Sequence, residues 1–207
     1  FWFYSFDFYS SFISFIIAYS LESFQLKESL NVNHTVHKNF QRKTVAEKYS
    51  YIKQLHGEMH SFYLKLQNVT AGKPVTERLN QLVIAIRNSM YAAKNIHDAQ
   101  YDIEQMRNSS NEIKYGFYKQ SGTKLLQLYR QVEQLLNLQN TKTALKDLTE
   151  LYHSITEGYS ENLHLLYKEK LANRVSEVEI TTLINFNREL YTSFKSILFA
   201  LKDFLLT

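Results

Sequence analysis

The chain has 207 residues, 44% of them apolar, with 24 Lys and Arg against 20 Asp and Glu and a net charge of +4. One proline, five glycines and no cysteine argue for long helices with few turns, and exclude a disulfide framework or a thiolate metal site. The basic residues are interleaved with acidic ones, and no Lys/Arg-rich stripe with intervening aromatics is present, which speaks against nucleic acid as a partner.

Residues 1–21, "FWFYSFDFYSSFISFIIAYSL", hold six of the 14 phenylalanines, the single tryptophan and one charge, Asp7. Three readings are open: an aromatic helix buried in the fold, the end of a membrane-associated segment, and an unstructured lead. The length suits a membrane span, and Lys27, Lys38, Arg42 and Lys43 would place the rest of the chain on the cytoplasmic side. Five serines and the lack of an aliphatic run speak against it. The chain begins without Met, which leaves room for an upstream part. These features divide the chain at 43/44, with an aromatic lead over 1–43 and a helical domain over 44–207.

From Thr44 to about Val69, Val45, Ile52, Leu55, Met59, Phe62, Tyr63 and Leu66 recur at helical spacing. "TAGKPVT" then breaks the chain, and a second helix is expected from about Thr76 to Arg107. Further helices are expected at about 112–138, 143–171 and 176–206. No strand pattern is present, so the fold class is all-α.

A shift of 101 residues places Tyr51 on Tyr152, Gly57 on Gly158, Leu82 on Leu183, Arg87 on Arg188, Lys94 on Lys195, Ala99 on Ala200 and Asp102 on Asp203. One register aligning apolar, basic and acidic positions over two helices implies an internal repeat. It divides the chain into two related three-helix units, about 1–107 and 112–207, and the first needs a helix before residue 44.

The second helix carries the main site candidates. At about 100° per residue, Arg87, Lys94, Asp98 and Asp102 form one stripe opposite Ala85, Ala92, Ile96, Ala99 and Ile103. Asp98 and Asp102 place two hard oxygen ligands on one face, suited to a divalent or iron-type metal, yet two carboxylates do not complete a site. The spacing therefore leaves a solvated face and a ligand site both open. His56 and His60 flank Glu58 in "HGEMH", a pairing able to clamp a transition metal but not in the His-Glu-x-x-His order of zinc proteases. Glu157 and Glu161 stand at the same positions of the second repeat. "NVT" makes Asn68 a formal glycosylation acceptor, without meaning in a cytoplasmic chain. No phosphate-binding glycine loop and no nucleophile with a base is present, so no enzyme activity is expected.

"RLNQLVIAIRNSMYAAKNIHDAQYDIEQMRNS" and "EVEITTLINFNRELYTSFKSILFALKDFLL" resemble the two signature helices of the PhoU-like domain that follows the membrane part of bacterial sodium/phosphate cotransporter family proteins. The resemblance covers roughly residues 44–207. It implies a PhoU-like bundle of two three-helix units on the cytosolic side of the inner membrane. The domain would be a non-catalytic regulatory or interaction module, partnered by the transporter portion of the same polypeptide and capable of self-association. The alternative is a free-standing cytoplasmic PhoU-like regulator of phosphate uptake or signalling. The resemblance also implies metal binding through (Glu/Asp)-x-x-x-Asp motifs, which Asp98 and Asp102 match. In the second unit Phe199 replaces the first carboxylate and leaves only Asp203, so a symmetric pair of metal clusters is not implied.

Overall fold

The computed structural model describes residues 2–26, 38–67, 72–137 and 141–205, and among them every regular element is helical. Asn68 and Lys27 lie outside the described residues.

The first helix, α1, spans Trp2–Ser23. Tyr9, Phe12, Ile13, Phe15, Ile16, Ile17, Tyr19, Leu21 and Phe24 are each at most 5% exposed, as expected of a helix that is apolar on all sides and sits inside a core. Its serines cost little there. The hydroxyls of Ser14, Ser20 and Ser23 donate to the carbonyls of Ser10, Ile16 and Tyr19 at 2.8, 2.8 and 3.0 Å, which satisfies them within the helix. Of the three readings of this segment, burial in the fold describes residues 9–24, and no described helix is long and apolar enough to cross a membrane. The helix ends with Gln25 at φ 53°. The Leu26 N–H then reaches the Leu21 carbonyl at 2.9 Å and the Gln25 N–H the Glu22 carbonyl at 2.8 Å, the paired bonds of a Schellman stop.

A four-residue helix, α2 (Lys38–Gln41), leads to α3 (Val45–Gln67). Thr44 and Glu47 cap α3 reciprocally: the Thr44 N–H donates to the Glu47 carboxylate at 2.8 Å and the Glu47 N–H to the Thr44 hydroxyl at 3.3 Å. Lys48, one turn in, is 3% exposed, pairs with Glu22 of α1 and donates to the Gln41 carbonyl at 3.1 Å. Replacing the carboxylate by an amide leaves a buried ammonium with neutral oxygens and the Phe40 ring, 5.7 Å away, and no counter-charge. Glu22→Gln is therefore expected to cost roughly 1–2 kcal/mol, discounted because Glu22 is partly exposed, and Lys48→Met less. Urea midpoints of the two variants check this ordering, and a costlier Lys48→Met would overturn it.

The expected helix over Thr76–Arg107 starts earlier and is divided. α4 runs Lys73–Asp98, beginning with Pro74 in its first turn, and α5 runs Gln100–Arg107. Ala99 at ψ −3° separates them, yet its N–H bonds Asn95 and its carbonyl accepts from Ile103. The interruption is a flattening of one residue, without a change of direction strong enough to break the ladder there.

Asn111 caps α6 (Glu112–Leu136), its side-chain oxygen accepting from the N–H groups of Ile113 and Lys114. α7 (Thr141–Leu171) ends in a second Schellman stop at Asn173, φ 54°. Ser176 and Glu179 then form a reciprocal cap on α8 (Glu177–Leu205).

α4 and α8 share the largest helix–helix interface, with α1 and α3 packed on α4 and with α6 and α7 packed on α8. The central pair is antiparallel. Arg78 donates to the Phe204 carbonyl, Asn88 to Asp203, and the Ser193 hydroxyl to the Ala92 carbonyl. α1 also contacts α6, where the Tyr118 hydroxyl donates to the Phe24 carbonyl at 2.7 Å, and its Tyr9 ring stacks on Phe204 at 4.0 Å. One continuous core results.

Candidate functional site

The stripe on α4 and α5 faces away from this core. Ala85, Ala92, Ile96, Ala99 and Ile103 are at most 1% exposed, whereas Arg87, Lys94 and Asp98 are exposed and Asp102 is intermediate. Lys94 forms an ion pair with Asp98. Both side chains are wet, so the pair contributes at most a few tenths of a kcal/mol. The ring of His97 lies flat on Tyr49 of α3 at 3.9 Å.

Asp102 is placed differently. Burial, and then the charge of Glu189 on α8, hold its carboxyl above the usual carboxylate range, while Glu189 has Arg188 at 3.3 Å. A carboxyl whose pKa is raised by folding binds its proton more readily in the folded state. Stability is therefore lost as pH rises from the ordinary aspartate range through the raised value. Asp102→Asn is expected to be more stable than the parent chain at pH 7, with the gain shrinking on acidification. Urea midpoints across pH test this, and equal midpoints at pH 7 would sink it.

The matching polar positions on α8 have partners of their own. Lys195 sits over the Tyr191 ring at 5.5 Å, Arg188 is exposed, and Asp203 accepts from Asn88 Nδ2 at 3.0 Å. Asn88 is ten residues before Asp98, about 15 Å along the helix, so Asp203 does not join Asp98 and Asp102. His56 and His60 have ring centroids 6.4 Å apart. Burial, then His60, lowers the His56 pKa, and Glu58 accepts from Gln54. Among the described residues, no three His, Asp or Glu side chains converge as a metal-ligand set. Asp98 and Asp102 on their own thus do not fit a closed metal centre.

A cavity of about 280 Å³ lies between α6, α7 and α8, and no motif announced it. Lys124 of α6 enters it, donating to the Asn162 side-chain oxygen at 3.1 Å and to the Gly158 carbonyl at 3.5 Å. Asn162 donates to Asn187 Oδ1 at 2.9 Å, and Asn187 to the Tyr159 carbonyl at 3.2 Å. Both asparagines are at most 5% exposed, so the network is internal and its members are paired. A Cβ on Gly158 would stand 3.3 Å from the Lys124 nitrogen, which is why a bare backbone suits this turn of α7. Glu157 and Glu161, noted in the sequence only as counterparts of the histidine pair, border the same space. The repeat alignment singled out Gly158 but gave no sign of Lys124, Asn162 or Asn187.

Compared with known proteins, the chain matches no family model, no curated protein and no solved structure.

Proposed function

We propose that the chain is a PhoU-like, non-catalytic regulatory or interaction domain, forming the cytosolic part of a sodium-dependent phosphate transporter. The observation that supports this reading is the α4–α8 crossing. The Ser193 hydroxyl meets the Ala92 carbonyl at 2.9 Å, and these two positions are 101 residues apart, the offset of the sequence repeat. Two units related by a two-fold axis must bring equivalent residues together where the axis passes. The same axis maps the Asn88–Asp203 contact onto the Asp102–Glu189 pair, since both members shift by that offset. α1, α3 and α4–α5 then form one unit, and α6, α7 and α8 the other. The two helices that carry the resemblance are the two that cross on the axis.

The test is the size and location of the native protein, read with an antibody raised against residues 44–207. A membrane-fraction band far above 24.5 kDa supports attachment to a transporter. A soluble band near that mass overturns it in favour of a free-standing regulator. The metal reading of Asp98 and Asp102 is tested separately: a metal-dependent rise in melting temperature that survives Asp98→Asn with Asp102→Asn assigns the metal elsewhere.

A further inference from the structure

We propose that the cavity between α6, α7 and α8 binds a small zwitterion of the apolar α-amino-acid type. Its carboxylate would rest on the Lys124 ammonium, its ammonium on the carboxylates of Glu157 and Glu161, and its side chain against Leu128, Leu151 and Leu190. The site is separate from the charged stripe on α4 and does not depend on attachment to a transporter.

Charges of both signs beside the cavity point to such a ligand, whose ammonium and carboxylate sit on one carbon. Lys124 is only partly exposed, and its two protein acceptors are neutral oxygens. Among the described residues it has no carboxylate within ion-pairing distance, so a half-buried cation faces the cavity with one N–H to spare. Burial lowers its pKa, and Glu161 only partly offsets this. A ligand anion beside it would supply the missing counter-charge. Glu157 and Glu161, next in sequence to the Gly158 and Asn162 that Lys124 contacts, are spaced i, i+4 on α7, where two like charges repel, and a ligand cation relieves that repulsion. A simple anion such as phosphate would meet two carboxylates at the rim, and a simple amine would meet Lys124. A ligand carrying both charges on neighbouring groups answers both.

The walls select the rest of the molecule. Leu128, Leu151 and Leu190 are 1%, 7% and 4% exposed and line the cavity beside the stacked rings of Tyr159 and Tyr191, 4.6 Å apart. The volume is near the lower end of ligand pockets, about 300 Å³, which suits one amino acid rather than a peptide or nucleotide. The hydrogen-bonded asparagines hold Lys124 in place before any ligand arrives, so little ordering cost falls on binding.

Calorimetric titration of the 207-residue chain with L-phenylalanine and L-leucine tests this directly. Saturable one-site binding of at least one is expected. For an L-phenylalanine site, 3-phenylpropionate and phenethylamine, each lacking one charge, should bind at least about tenfold more weakly, the equivalent of one charge-assisted hydrogen bond. Lys124→Met should remove binding while keeping a cooperative melt. If that variant does not fold, Glu157→Gln with Glu161→Gln, both at exposed positions, carries the decision by weakening the amino acid at least about tenfold. No binding of either amino acid at millimolar concentration overturns the proposal. So does 3-phenylpropionate binding as tightly as L-phenylalanine, or binding unchanged in a folded variant.

Discussion

Deleting residues 1–26 is expected to leave a chain that no longer unfolds in a single cooperative transition. The nine large side chains from Tyr9 to Phe24 are at most 5% exposed, and burying each contributes on the order of 1.5–3 kcal/mol. Even allowing for a compact unfolded state, their sum, on the order of 8–24 kcal/mol, matches or exceeds the roughly 5–15 kcal/mol that typically separates folded from unfolded domains. The loss is also distributed, because α1 touches α3, α4 and α6 and its removal opens a face on each. A milder version is Ile16→Ala, at a side chain 0% exposed, expected to cost about 3 kcal/mol. Far-ultraviolet circular dichroism during a urea titration reads both. A truncated chain with the parent's midpoint and slope would show that α1 rests on the fold without supporting it.

Where periodicity alone decides the outcome, the fold was legible in the sequence. The apolar spacing of α3, α4, α6, α7 and α8 placed those helices to within a few residues, and Gly72 with Pro74 marked the break before α4. Side chains that act across helices were much harder to anticipate. The serines of α1 spoke against a membrane span, but composition does not show that their hydroxyls bond carbonyls one turn back and so fit a buried helix. The flattening at Ala99 left no trace, since an alanine between two helical stretches carries no stop signal and the apolar stripe runs through it. The exposure of Arg87, Lys94 and Asp98 was legible from the helical projection. The partner that distinguishes Asp102, Glu189, sits on another helix and was not. Lys124, Asn162 and Asn187 are separated by 38 and 25 positions, one on each of three helices. Such a cluster leaves no motif, because its spacing is set by tertiary packing and not by any local repeat.

The second large effect is expected at the α4–α8 crossing. Ala85, Ala92, Ala93, Ala99 and Ala200 are at most 1% exposed, and small side chains there allow the two helices to approach until the Ser193 hydroxyl reaches the Ala92 carbonyl. Ala92→Leu inserts a branched side chain where none fits and is expected to cost about 3 kcal/mol, near the upper end for overpacking. Tyr91→Leu, on the neighbouring exposed position at 49%, should stay within about 0.5 kcal/mol. The comparison measures the closeness of the interface, since the helix propensity of leucine is the same at both sites. Ser193→Leu presses on the same contact from α8 and should cost a similar amount. Residues in contact are not additive. Once one leucine has pushed the helices apart, the second enters space already opened, so Ala92→Leu with Ser193→Leu should cost less than the two singles together. Strict additivity in urea midpoints would mean that the two positions do not share a contact, and would remove the contact on which the proposed two-fold relation rests.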